Sequence, residues 1–315
     1  MRALPFVLAL LPLPAQALTP QDVLEATYDG GDLPDGQSAV TMALQVMLDR
    51  AGISPGIIDG YKGGMSESAI RGFERREGME VDGILDQAVW DALAGDGGPV
   101  LVDYTITAED ASGLTDEIPE EVEAKAQMDE LGYVSVSEKL AERFHMDEDV
   151  LKALNPDASF REGDTISVAA PGERLEAEIA RITVSKTDRR ATAFDADGNI
   201  VSDYPVTVGS DELPSPSGTH EVLAVAMDPT YTYDAEKNNL EGGPDEVMEL
   251  PAGPNGPVGS VWIDLSEPTF GLHGTDTPAK LFENRSHGCV RFTNWDVEEL
   301  AHMVQPDTTI VEFLE

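Results

Sequence analysis

"FGLHGTDTPAKLFENRSHGCVRF", residues 270–292, carries the only cysteine of the 315-residue chain, Cys289. His287 precedes it by two positions, Arg291 follows it by two, and His273 lies sixteen positions upstream. A free thiol titrates near 8.5, so only about 3% is thiolate at pH 7. A nearby imidazole is what turns such a thiol into a nucleophile. Two histidines qualify. In an extended segment His287 and Cys289 point the same way. His273 follows the apolar run "TFGL" and so falls at a strand end, from which a loop over 274–286 can return to the thiol. Spacing alone does not choose between them. Gly288 lets backbone approach a substrate closely and aim successive N–H groups at an oxyanion. Ser286 is placed to orient a histidine, and Arg291 to bind a carboxylate or to brace the loop. Gly and His flank the thiol where a buried inert cysteine would have an apolar stripe. A zinc site of His273, His287 and Cys289 would use suitable ligands, but it lacks CxxC or HExxH spacing.

Working outward, the N-terminus explains why one cysteine is worth noting. Arg2, the apolar run "ALPFVLALLPLP" (3–14) and "AQA" (15–17) form a signal-peptide pattern, with cleavage expected after Ala17. The run is too short to span a bilayer, and its late prolines oppose an anchor helix. An exported, periplasmic chain is therefore expected, without a membrane span. Exported proteins pair their cysteines, so an unpaired one either bonds another chain or is kept for chemistry. The net charge of −40 argues against nucleic acid or an anionic membrane as partner.

Three regions follow. In 36–95, apolar Val40, Leu44, Met47 and Ala51 recur at helical spacing. Asp-Gly turns fall at 59–60 and 82–83. A second helix is expected from a Ser66 cap to Gly78, and a third after Asp86. Over 101–171, "AEDASGLTDEIPEEVEAKAQMDE" (108–130) has nine acids and one lysine and reads as a solvated linker or insertion. Beyond it come two short helices, with Ser137 and Asp147 as caps, and a strand; "YTITAED" (104–110) is a candidate first strand. Residues 178–315 are β-rich. They hold two or three strands around the Asp197-Gly198 turn, further strands in "GTHEVLAVAM" and "VGSVWIDL", a helix over 294–304 capped by Asn294, and a closing strand "TTIVEFL". The fold class is thus multidomain α+β: a three-helix bundle, a small α/β region and a mostly-β sandwich or barrel-like domain. His145 and His302 fall on predicted helices and His220 in a strand; all three read as structural, and Trp262 as core.

Residues 38–95 resemble the three-helix peptidoglycan-binding domain. "VLKALNPD" with "REGDTISV" resembles the second half of a LysM module, interrupted by the acidic insertion. "HGT…SHGCVRFTN", with "YPVTVG", "PSPSG", "DPTYTYD" and "PAGPNGPVGSVWIDLSEPTFGLHGT", resembles the YkuD-type L,D-transpeptidase catalytic domain. Three features depart from that pattern: Ser215 stands where Thr is common, Phe282-Glu283 where a small Gly-containing turn is usual, and Phe292 where Leu or Met is common.

The resemblance implies Cys289 as nucleophile and His273 as general base. His287, Gly288 and Ser286 complete the motif, and Arg291, Tyr231 and Tyr233 contact substrate. It implies acyl transfer on peptidoglycan stem peptides through a thioester, with release of the D-alanine after the third stem residue. The acceptor would be a diaminopimelate amine (a 3→3 cross-link), an envelope-protein amine, or water, which makes an L,D-carboxypeptidase. No metal or organic cofactor is implied. A non-catalytic wall-binding protein is the contrasting expectation, opposed by the presence of Cys289, His273 and His287.

Overall fold

A computed structural model describes residues 18–235, 244, 246–282, 285, 286 and 288–315. The expected signal segment 1–17 and His287 lie outside the described residues. In chain order the elements are α1 (Pro20–Leu24), α2 (Ala39–Arg50), α3 (Gly64–Glu77), α4 (Gln87–Leu93), β1 (Leu101–Thr105), α5 (Val122–Lys125), α6 (Val136–Arg143), α7 (Glu148–Leu154) and β2 (Thr165–Ala169). There follow β3 (Arg181–Ser185), β4 (Arg190–Phe194), β5 (Ile200–Pro205), β6 (Gly218–Met227), β7 (Tyr231–Tyr233), β8 (Met248–Leu250), β9 (Val261–Leu265), β10 (Gly271–His273), β11 (Val290–Arg291), α8 (Asn294–Met303) and β12 (Ile310–Leu314).

Helices α2, α3 and α4 bury Leu44, Leu48, Ile70, Phe73, Val89 and Leu93 in one core. Asp86 caps α4 as expected, its side chain accepting from Val89 N–H. Ser66 is not a cap. Helix α3 begins two residues earlier, with Gly63 as N-cap, and the Ser66 hydroxyl instead accepts from Gln45 Nε2 at 3.2 Å. Gly78 ends α3 in the left-handed conformation that glycine alone adopts without strain.

The middle region is an antiparallel β1–β2 pair with α6 and α7 between the strands in sequence. The first strand is Leu101–Thr105, three residues earlier than "YTITAED". Asp147 caps α7, but Ser135 rather than Ser137 caps α6; the Ser137 hydroxyl donates to Glu148 at 2.6 Å. The acidic segment is not a free linker either. Its Ile118, Val122, Ala126 and Met128 pack with Leu131 on the β7–β8 hairpin.

The C-terminal region is one eight-stranded mixed sheet, in the order β11-β10-β9-β6-β12-β3-β4-β5. A flat sheet would put its two edges about 34 Å apart. Instead the chain just beyond β5 reaches β11: Thr207 and Arg291 exchange backbone hydrogen bonds of 2.9 and 3.0 Å. The sheet therefore curls until its edges meet, which is the barrel-like outcome. Its interior is filled by Ile182, Val184, Tyr204, Val222, Ile263, Leu272 and Phe292, with Val297 and Leu300 from α8. Thr293, not Asn294, caps α8. Asn294 is the first helical residue, and its side-chain amide donates to Glu142 and to Pro254 O.

Candidate active site

Strands β10 and β11 run parallel in the register Leu272–Val290 and His273–Arg291. Registered partners share a face, and residues two apart share it too. His273 and Arg291 therefore look the same way, and Cys289 stands one pleat behind Arg291, level with Gly271. The local sequence makes this possible. Gly271 faces the Trp262 ring, where any Cβ would overlap the indole. The Cys289 thiol donates to Thr269 O at 3.6 Å and is half-buried.

His273 is buried, and its ring stacks on Trp262 with centroids 5.6 Å apart. Its Nδ1 lies 2.7 Å from Gly274 O. A carbonyl only accepts, so Nδ1 carries the proton and Nε2 keeps the free lone pair. Burial, and then the Arg291 guanidinium, push the imidazole down to about 3, so it is neutral at pH 7. Burial pushes the Cys289 thiol above its usual range, opposed by a backbone hydrogen bond from Gly271 and by Arg291. The pair at rest is thus a neutral thiol and a neutral imidazole, not a preformed ion pair.

The turn before Cys289 is held from several elements. The Ser286 hydroxyl donates to Cys289 O at 2.5 Å and accepts from Gly288 N–H at 3.1 Å. It therefore shapes the turn that leads into Cys289. The same bond occupies the Gly288 N–H, which is not available to an oxyanion. Gly288 has φ +118°, and a Cβ there would collide with Phe270. Ser215 Oγ donates to Gly288 O at 2.7 Å and accepts from Gly209 N–H at 2.9 Å, so it supports the turn from the far side. Upstream, Leu281 is buried, and Thr207 and Arg189 donate to the Leu281 and Phe282 carbonyls.

Tyr231 on β7 is half-buried, and its phenol is pushed up by burial, then by the Cys289 charge, with Arg291 opposing. It therefore sits within electrostatic reach of the thiol. Tyr233 is buried against Leu131 and Leu250. His145 lies just after α6 rather than on it, pairs with Asp49 at 2.9 Å and stacks on Trp295. His220 packs edge-on to Phe313, and His302 bonds its own helix. Trp262 was legible only as a core residue; its stacking on His273 carries no local sequence signal. Ser215 and Gly209 were legible only as members of "PSPSG" and "YPVTVG"; their hydrogen-bonded link to Gly288 carries no local signal.

The curled sheet thus sets Cys289, directly before β11, next to β10, the strand that carries the buried imidazole of His273. The family model of the L,D-transpeptidase catalytic domain matches residues 179–312, and that of a peptidoglycan binding domain matches residues 37–93. A Bacillus licheniformis protein bearing the name L,D-transpeptidase YkuD is 31% identical over 145 residues, covering 46% of this chain and 72% of that relative. Its Bacillus subtilis namesake is 30% identical over 111 residues, covering 35% of this chain and 52% of its own length. The crystal structure of an L,D-transpeptidase from Xylanimonas cellulosilytica aligns with a TM-score of 0.42 at 14% identity, covering 91% of this chain and 100% of that one. The chain belongs to the YkuD family of L,D-transpeptidases. Among the described residues no helix is long and apolar enough to cross a membrane.

Proposed function

We propose that this protein is an exported, cell-wall-associated L,D-transpeptidase that works through a thioester on Cys289. The observation that carries the proposal is the His273 tautomer. With Nδ1–H committed to Gly274 O, Nε2 is the lone pair that can take the thiol proton. The sulfur then attacks the carbonyl between the third stem residue and the following D-alanine. The Cys289 N–H stabilises the resulting oxyanion. His273 returns the proton to the departing D-alanine amine as the C–N bond breaks, leaving the thioester. An acceptor amine attacks that thioester, His273 takes its proton, and the sulfur leaves and is reprotonated. The neutral resting pair suits this order, because proton transfer accompanies attack instead of preceding it.

The acceptor is an amine, that of a diaminopimelate side chain in a 3→3 cross-link or of an envelope protein. Residues 36–95 hold the enzyme on peptidoglycan, and the β1–β2 module contributes glycan contacts of the LysM kind. Arg291, charged beside the site, holds a stem carboxylate, and Tyr231 forms a wall of the donor groove. His287 is assigned to the motif around the thiol.

Purified protein incubated with a carbapenem is expected to gain one adduct by intact mass, and Cys289→Ala to gain none. An adduct surviving in Cys289→Ala would overturn Cys289 as the nucleophile. Muropeptide analysis then separates a 3→3 dimer from a shortened stem, the latter marking water as acceptor.

A further inference from the structure

The acidic segment 113–132 has a surface that its composition conceals. Asp116, Glu117, Glu120, Glu121, Glu123, Asp129 and Glu130 are exposed. Ile118, Val122, Ala126 and Met128 turn the other way, into a cluster with Leu131, Tyr233 and Leu250 that also takes in Tyr231 and Met248. The end of the segment is tied down by backbone. Leu131 N–H donates to Ala252 O at 2.8 Å, and Asn255 N–H donates to Leu131 O at 3.0 Å. The Asn255 amide donates to Gly132 O at 3.0 Å and to Glu138 at 2.6 Å. Gly253, at φ +144°, approaches the Leu131 carbonyl so closely that a Cβ has no room. The segment is thus fastened directly after β8.

What it fastens is weak alone. Among the described residues, strands β7 and β8 pair only with each other, three residues each, outside the eight-stranded sheet. An isolated two-stranded hairpin is marginal in water and needs packing to hold its shape. Tyr233, on the same face as Tyr231 by strand alternation, is buried under Leu131. Tyr231 is the hairpin residue whose phenol feels the Cys289 and Arg291 charges. Whatever fixes Tyr233 therefore fixes Tyr231 two residues away.

We propose that residues 113–132 are a positioning element: a brace from the middle module that holds the β7–β8 hairpin, and with it Tyr231, against Cys289. The consequence for substrate rests on the assigned transpeptidase activity; the bracing does not. A loosened hairpin removes a wall shared by bound substrate and transition state. The loss then falls on KM more than on kcat.

The test uses the full chain with Val122→Asp and Met128→Asp together, and Val122→Asn with Met128→Asn as a charge control. Both positions are half-buried and belong to none of the three larger cores, so the rest of the fold stands. Amide exchange at 231–233 and 248–250 is expected to quicken at least about tenfold, with β3, β4 and β12 unchanged. Alkylation of Cys289 by iodoacetamide is expected to quicken several-fold as Tyr231 withdraws. On a donor stem peptide, KM is expected to rise about tenfold with kcat within about threefold. Unchanged exchange or unchanged alkylation overturns the brace, whatever the activity. So does a fall in kcat with KM unmoved. A wild-type chain inactive on stem peptides would instead overturn the assigned activity, while exchange and alkylation still decide the brace.

Discussion

Gly288 is where the backbone leaves least choice. Its φ of +118° and the nearby Phe270 ring exclude a side chain. In Gly288→Ala the turn must shift to relieve the overlap, and Cys289 moves with it. Strain of about 1–3 kcal/mol at such a site corresponds to about a fivefold or greater loss of rate. Carbapenem acylation of Gly288→Ala, followed by intact mass over time, is expected to be slowed by at least that factor. Ser215 gives a sharper comparison. Its buried hydroxyl joins Gly209 N–H to Gly288 O. Ser215→Ala leaves both groups short of a partner, at a cost of about 1–3 kcal/mol. Ser215→Thr keeps the hydroxyl, so acylation and melting temperature should both stay near wild type while Ser215→Ala lowers them. Equal loss in both variants would show that volume, not the hydrogen bonds, matters there.

At the scale of elements, what the sequence disclosed followed from local chemistry. The Asp-Gly turns, the Asp86 and Asp147 caps, the β12 strand and His273 at a strand end each depend on a few neighbouring residues. The misplaced caps share one cause. Ser66, Ser137 and Asn294 are all good capping types, but tertiary partners at Gln45, Glu148 and Glu142 engage them inside helices whose caps lie one to three residues earlier. The acidic segment misled for a different reason. Nine acids dominate the composition, yet those beyond Gly113 stay in water while Ile118, Val122, Ala126 and Met128 dock. The β4–β5 pair carries another feature invisible in sequence. Arg190 is buried with Asp203, and Arg190 also donates to Ser54 O at 2.9 Å in the helical N-terminal region. Removing Arg190 leaves the buried Asp203 carboxylate with only Thr192 and a 3.5 Å contact to the part-exposed Arg75, so much of the roughly 3–5 kcal/mol cost of a stranded buried charge applies. Arg190→Met should lower the melting temperature sharply. Adding Asp203→Asn to it should recover part of the loss, since the stranded charge is then gone.

The whole molecule is held together by acids that are out of water. A cleft of about 380 Å³ lies where the three modules meet, lined by Asp49, Tyr133, Glu142, His145, Trp295 and Asp296 among others, and it does not reach Cys289. Asp296 on α8 accepts from Ser54 Oγ at 2.9 Å, across 242 positions of chain. Burial, and then the Asp49 charge, push its carboxyl up to about 8, against His145, Thr293 and Ser54. Burial pushes Glu142 up to about 7, opposed by Asn294 and Tyr133. For His145 burial is the largest influence and works downward, but the Asp49 carboxylate, with Asp296 and Glu299 behind it, leaves the imidazole above its usual value. Each of these folded groups keeps a proton that the unfolded chain gives up at lower pH. Their stabilisation is complete below the unfolded values and is lost as pH rises through the folded ones. His273 acts in the opposite sense, but only between about 3 and its unfolded value near 6.5. Above pH 6.5 the downward slopes therefore stand alone. Asp296 alone spans about 1.5 pH units there, on the order of 2 kcal/mol. Between pH 6.5 and 8.5 the melting temperature is expected to fall by about 5 °C. Asp296→Asn, which cannot titrate, should flatten that slope. A melting temperature that holds steady or climbs across the window would mean that the junction is not the proton-bearing contact between the modules.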